Sequence, residues 1–156
     1  MPLKEIEVDV NIPFAADERL YRRVSPGGLN NAGEFLPSAL NTFSFDKDLD
    51  SAPSVMRGAF CDWNDVLAFD CADQELVGWM VYYVTVGELP QSLTAADGRV
   101  FAFFPVHRPK PLCGAHSVIA SYVALDETRK YVPPPRPVRN ALRTILATTL
   151  KLATQP

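Results

Sequence analysis

The sequence predicts a single α+β domain: a mixed, mostly antiparallel sheet with a long C-terminal amphipathic helix. Three observations carry that expectation. Short β-branched and aromatic runs recur between turn-forming Pro, Gly and Asn residues. Strands and helices do not alternate in the regular order of a doubly wound sheet. Near the end, Val138, Leu142, Ile145, Leu146 and Leu150 form one stripe at helical spacing, with Arg139 and Arg143 beside it. A chain of 156 residues is one domain by size and can bury a core without disulfides or metal. Residues 1–132 read as the α+β core, 133–137 as a stiff Pro-rich connector, and 138–156 as the helix, packed on or docking from the same domain.

In order along the chain, Ile6, Val8 and Val10 alternate with acidic residues, the period of a half-buried strand. Leu20 to Val24 fits a strand or a helical turn, and Pro26-Gly27-Gly28 stops it. Residues 25–37 are loop chemistry, and Thr42 to Asp46 is a short strand with Phe43 and Phe45 on one face. Residues 54–74 predict helix, with Val55, Phe60, Trp63, Val66 and Leu67 in the buried set and Phe69 as a further candidate, Gly58 as a break and Asp62 as a cap. Val77 to Val86 is β-branched and aromatic, which predicts a central strand. After the Asp97-Gly98 turn come a strand over Val100 to Phe104, a Pro-containing loop over 105–116, and a strand over Ser117 to Leu125.

Charge is uneven. The chain carries −3 overall, which argues against a whole-surface nucleic-acid binder. Residues 1–126 carry a net −8, whereas 127–156 carry +5. That basic tail, with Arg136, Arg139 and Arg143, fits either a solvated helix face or a surface that docks on an acidic protein partner. No apolar run reaches the roughly 18 residues needed to cross a bilayer. Met1 to Glu7 has no apolar stretch of the signal-peptide kind, and three cysteines do not suggest a disulfide framework. A cytoplasmic protein is therefore expected.

Three polar stations interrupt the apolar sequence. Arg22 and Arg23 carry planar forks of donors suited to a small phosphate- or carboxylate-bearing ligand. On a strand only one of the two should enter a cleft, and both could equally be solvated or salt-bridged. Ser38 and Ser44, near Asp46, can bond a ligand hydroxyl or satisfy their own turns. His116 can move a proton or bond backbone. Cys113-x-x-His116 is half of a metal knuckle that Cys61 and Cys71 would complete, but the spacing between those two is too long for a compact site. Cys113 with His116 is also a possible nucleophile and base, without a visible third group to orient it. The run from Asp46 to Asp50 resembles a calcium loop but has Ser51 and Arg57 where Gly and Glu are required. No phosphate loop, dinucleotide fingerprint, nucleophile elbow or HExxH motif is present, and no cofactor is expected.

The order Leu20-Tyr21-Arg22-Arg23-Val24-Ser25-Pro26, Pro37-Ser38-Ala39-Leu40, Phe43-Ser44-Phe45-Asp46 and Gly114-Ala115-His116-Ser117-Val118 resembles a poorly characterised group of small bacterial proteins. That group has Arg, Ser-Ala-Phe, Ser-Val-Asp and Ala-His motifs in succession. The chain departs from it at Leu40, at Phe45 and at Cys113-Gly114. The resemblance implies bacterial origin and no particular chemistry.

Two functions fit these residues. The first is a small binding or accessory protein acting through protein contacts of its basic helix. The second is a nucleotide- or NAD-processing enzyme similar in outline to ADP-ribosyltransferase-like folds. In that case Arg22 or Arg23 would hold a phosphate, Ser38 or Ser44 would support a ribose, Glu88 would polarise a hydroxyl and His116 would carry a proton.

Overall fold

The computed structural model describes residues 13–24, 27, 31, 45, 49, 52–66, 79–109 and 114–153. Its frame is a seven-stranded antiparallel sheet. In chain order the strands are β1 (Arg19–Val24), β2 (Ser54–Arg57), β3 (Met80–Thr85), β4 (Leu93–Thr94), β5 (Val100–His107), β6 (His116–Val123) and β7 (Lys151–Leu152). In space they run β4-β5-β6-β2-β1-β3-β7. Two helices accompany them, the single turn α1 (Trp63–Val66) and the fourteen-residue α2 (Arg136–Thr149).

Period two explains how the sheet centre is covered on both faces. Leu20, Val55 and Tyr82 belong to a core cluster with Phe101, Phe103 and Ile119, closed by Val138, Leu142 and Leu146 of α2. Their strand neighbours Tyr21, Met56 and Val81 belong to a second cluster with Cys61, Val66 and Ala115, joined by Phe60 and Trp63. Fully burying each large apolar side chain of this kind stabilises by roughly 1.5–3 kcal/mol. The helix is therefore part of the same apolar body as β5 and β6.

Several local expectations need correction. Residues 54–57 form a strand, not the start of a helix, and helix is present only over Trp63–Val66 of the described part of that segment. Tertiary pairing overrides the apparent helical spacing here, because β2 fills the gap between β1 and β6. β5 continues past Phe104 through Pro105 to His107, and β6 begins at His116, one residue before the expected start. α2 starts at Arg136, and the chain leaves it after Thr149. Lys151–Leu152 then pairs with Tyr83 and Tyr82 as an edge strand, where helix was expected. The Pro-rich connector is stitched to β6: Val132 N–H donates to Ser121 O at 3.0 Å, and the Ser121 hydroxyl donates to Val132 O at 2.5 Å. The expected strand over Ile6, Val8 and Val10 lies outside the described residues.

Candidate functional site

The ladder between β1 and β2 is short, and this creates the site. Leu20 pairs with Arg57 and Tyr21 with Met56; there the described register ends. One step further on, the Arg22 guanidinium donates from Nη1 to the carbonyl oxygen of Ser54 at 2.7 Å. A side chain thus satisfies a backbone acceptor that faces β1. The space beside this brace is a recess of about 230 Å³. Among the described residues, Tyr21, Arg22 and Arg23 border it from β1, Ser54 and Met56 from β2, and Val66 and Trp79 from beyond them.

Both Arg22 and Arg23 border this recess, although neighbouring side chains of a strand leave on opposite faces. Alternation separates neighbours across a continuous sheet, but this recess lies where two strands part, so both arginines border it. Their proximity is electrostatically costly. Burial, followed by the neighbouring Arg23 charge, lowers the Arg22 pKa to about 10. Burial also pushes the Tyr21 phenol up, against the lowering effect of Arg19, so it remains a protonated donor at neutral pH.

Behind Ser54 stands His116, at the opposite edge of β2. Met56 pairs with His116 and Ser54 with Val118, so Ser54 and His116 are diagonal neighbours on one face. Ser54 Oγ and His116 Nε2 are 3.0 Å apart, and His116 Nδ1 lies 2.7 Å from the carbonyl oxygen of Arg108. A carbonyl can only accept, so Nδ1 carries the proton. In the neutral ring Nε2 is then the acceptor, and the Ser54 hydroxyl donates to it. The imidazole is buried, with 4% exposure, whereas Ser54 is exposed and borders the recess. Arg108 N–H donates in return to His116 O at 3.0 Å, so the histidine also clamps the open end of the β5–β6 hairpin.

Of the sequence candidates, Arg22, Arg23 and His116 are thus brought to one locality. Ser38 and Ser44 lie outside the described residues, as do Cys71 and Cys113. Glu88 does not border the recess. It sits in a 3-10 turn (Val86–Glu88), where it accepts from the Thr85 amide and hydroxyl at 3.1 and 2.9 Å and pairs with Lys151 at 3.3 Å. These are capping bonds. The Cys61 thiol is buried and donates to Arg57 O at 3.3 Å, and both ring nitrogens of His116 meet protein atoms. Among the described residues no group of three or more His, Cys, Asp or Glu side chains is placed to hold a metal ion.

Sequence reasoning missed Ser54 and Trp79. Ser54 opens the four-residue strand that was read as helix, and Trp79 was read as a strand aromatic without a site. The pattern Ser-Val-Met-Arg after Pro53 was the available signal for a strand, and it is too short to outweigh the apolar spacing that follows.

Fold and site together define a small antiparallel α+β protein in which two guanidiniums, a hydroxyl and a buried imidazole surround a break in the sheet. No protein-family model, curated protein or solved structure matches the chain.

Proposed function

We propose that this chain is a binding protein for a small anionic molecule, whose phosphate or carboxylate group enters the recess between β1 and β2. The observation that carries this reading is that Arg22 and Arg23 border the same recess as Ser54. Two guanidiniums beside one recess present planar donor forks that match a phosphate or carboxylate. Tyr21 and Trp79 add aromatic surface for a flat group attached to that anion.

Size narrows the ligand. Sites for drug-sized molecules enclose about 300–1,000 Å³. A recess of about 230 Å³ takes one charged group and a small attachment. A mononucleotide could place one end in it, whereas most of a dinucleotide would remain outside. The displacement of Glu88 further weakens the analogy to ADP-ribosyltransferase-like enzymes. The protein would act in a reducing bacterial cytoplasm, where the Cys61 thiol remains a thiol.

Trp79 supplies the test. Titration with inorganic phosphate, AMP, NAD and citrate should change its fluorescence saturably for at least one anion, with a Trp63→Phe background isolating the signal. Arg23→Gln should weaken that binding at least tenfold. No saturable change with any of these anions would refute the reading.

A second reading rests on α2. Val138, Leu142 and Leu146 of this helix are buried, and it also carries Arg136, Arg139 and Arg143. The Arg143 pKa is lowered by burial and then by Arg139 and Arg136, so the three charges crowd one another. An acidic protein surface would relieve this. Deleting the helix would remove core residues, so charge reversal is the informative test: Arg136→Glu with Arg143→Glu should abolish capture of an acidic partner while the fold persists.

A further inference from the structure

We propose that Ser54 is a catalytic nucleophile, with His116 as its general base, and that the reaction is acyl transfer from an ester carrying a nearby anionic group. This rests on the anion-binding reading of the recess and adds chemistry to it. Three observations combine. The Ser54 hydroxyl is positioned 3.0 Å from His116 Nε2, within the reach a nucleophile and base require. The second ring nitrogen is fixed at 2.7 Å on Arg108 O, which sets the tautomer and aims Nε2 at the hydroxyl. Ser54 is exposed and borders the recess while the imidazole is buried, so a substrate meets the serine before the base.

Ser54 Oγ attacks the acyl carbon and a new C–O bond forms, while the hydroxyl proton passes to His116 Nε2. The tetrahedral intermediate collapses by breaking the bond to the leaving alcohol, which takes that proton from Nε2. Water then attacks the acyl-serine, gives a proton to Nε2, and the Ser54 C–O bond breaks with return of the proton to Oγ. The Arg22 guanidinium, bound to the Ser54 carbonyl at 2.7 Å, stands beside the reacting residue and favours the negative charge of the intermediate. The orienting group is a neutral carbonyl, where a serine hydrolase triad has a carboxylate, so the imidazolium receives less stabilisation and slow turnover is expected. A substrate anion held by Arg22 and Arg23 fixes the acyl carbon near Oγ.

The competing role for His116 is purely structural, as the clamp of the β5–β6 hairpin. An alkyl fluorophosphonate separates the two, because it is attacked by an activated serine with loss of fluoride and leaves a stable adduct. The full chain is incubated with the probe and modification at each serine is quantified by peptide mass spectrometry. Ser92, exposed just before β4, serves as the internal reference for an ordinary hydroxyl. Expected is modification of Ser54 at least tenfold faster than Ser92, slowed by inorganic phosphate and lost in His116→Gln. Equal rates at Ser54 and Ser92 in the wild-type protein would overturn the proposal, whatever the stability of the histidine variant. Should anions bind by Trp79 fluorescence while Ser54 stays unreactive, the nucleophile fails and the binding site stands. Absence of both results defeats the two readings together.

Discussion

Arg57 donates from Nε and Nη2 to the two carboxylate oxygens of Glu18, each at 2.8 Å, with the arginine side chain fully buried and the glutamate only 7% exposed. The guanidinium also lies between two rings, 3.7 Å from the centroid of Phe14 and 4.7 Å from that of Phe60, and reaches Pro13 O at 3.2 Å. A charge on the apolar side of β2 is thereby held by the segment that leads into β1. Removing one member leaves the other charged and buried. Arg57→Ala or Glu18→Ala should each cost about 3–5 kcal/mol in urea unfolding. The pair Glu18→Leu with Arg57→Met should recover much of that loss, because it removes both charges and keeps the volume.

Close approach of two backbones gives the next expectation. Gly58 N–H donates to Arg19 O at 2.7 Å, and a Cβ built on Gly58 would stand 2.7 Å from that same oxygen. The obstacle is backbone and cannot swing aside. Gly58→Ala should therefore destabilise by about 1–3 kcal/mol, read from the denaturation midpoint. Gly27→Ala, with open space around the added carbon, should leave stability nearly unchanged.

Glu88 predicts a pH dependence. Burial would raise its pKa, but the Thr85 amide and hydroxyl together with Lys151 hold it below the ordinary value. A carboxylate depressed in the folded state contributes stability above its unfolded pKa and loses it as pH falls through the folded pKa. Glu88→Gln should accordingly be less stable than wild type at neutral pH. The gap should close on acidification through the ordinary glutamate range and vanish below the lowered value. Thermal unfolding of both proteins between neutral and strongly acidic pH checks the sign.

Beside its apolar stripe, α2 carries a further expectation. The Nε of Arg139 is buried and has no hydrogen-bond partner among the described residues. Arg139→Met keeps the stem and removes that atom, so the protein should gain about 1 kcal/mol in urea unfolding. On the inner side, Leu146 is fully buried in the main core, and Leu146→Ala should cost about 2–5 kcal/mol.

How much of this was legible in the sequence differs by element. β3 was readable because Val81, Tyr82, Tyr83 and Val84 favour a covered strand from either side. α2 was readable because Val138, Leu142 and Leu146 repeat at the helical period, although the exit into β7 was not: a two-residue strand has no period of its own. β2 was hidden by Phe60, Trp63 and Val66, whose spacing suggests a helix through residues that pairing draws into the sheet. The site followed the same division. Arg22, Arg23 and His116 were visible as residue types. The link between His116 and Ser54 spans 62 positions and depends on register between β2 and β6, which no local pattern encodes. The bonding of Glu88 was hidden because a capping carboxylate and a catalytic one look alike until Thr85 and Lys151 are seen to bind it.

The order of synthesis gives one structural detail a further meaning. Phe101, Phe103 and Ile119 are completed as a core by Leu142 and Leu146, and the Ala153 amide closes on Val81 O at 2.9 Å. A ribosome making the chain exposes that aromatic face before the helix that covers it has emerged. The nascent polypeptide therefore passes through a sticky, incomplete stage, and its yield in the cell should depend on chaperones that shield such surfaces during translation.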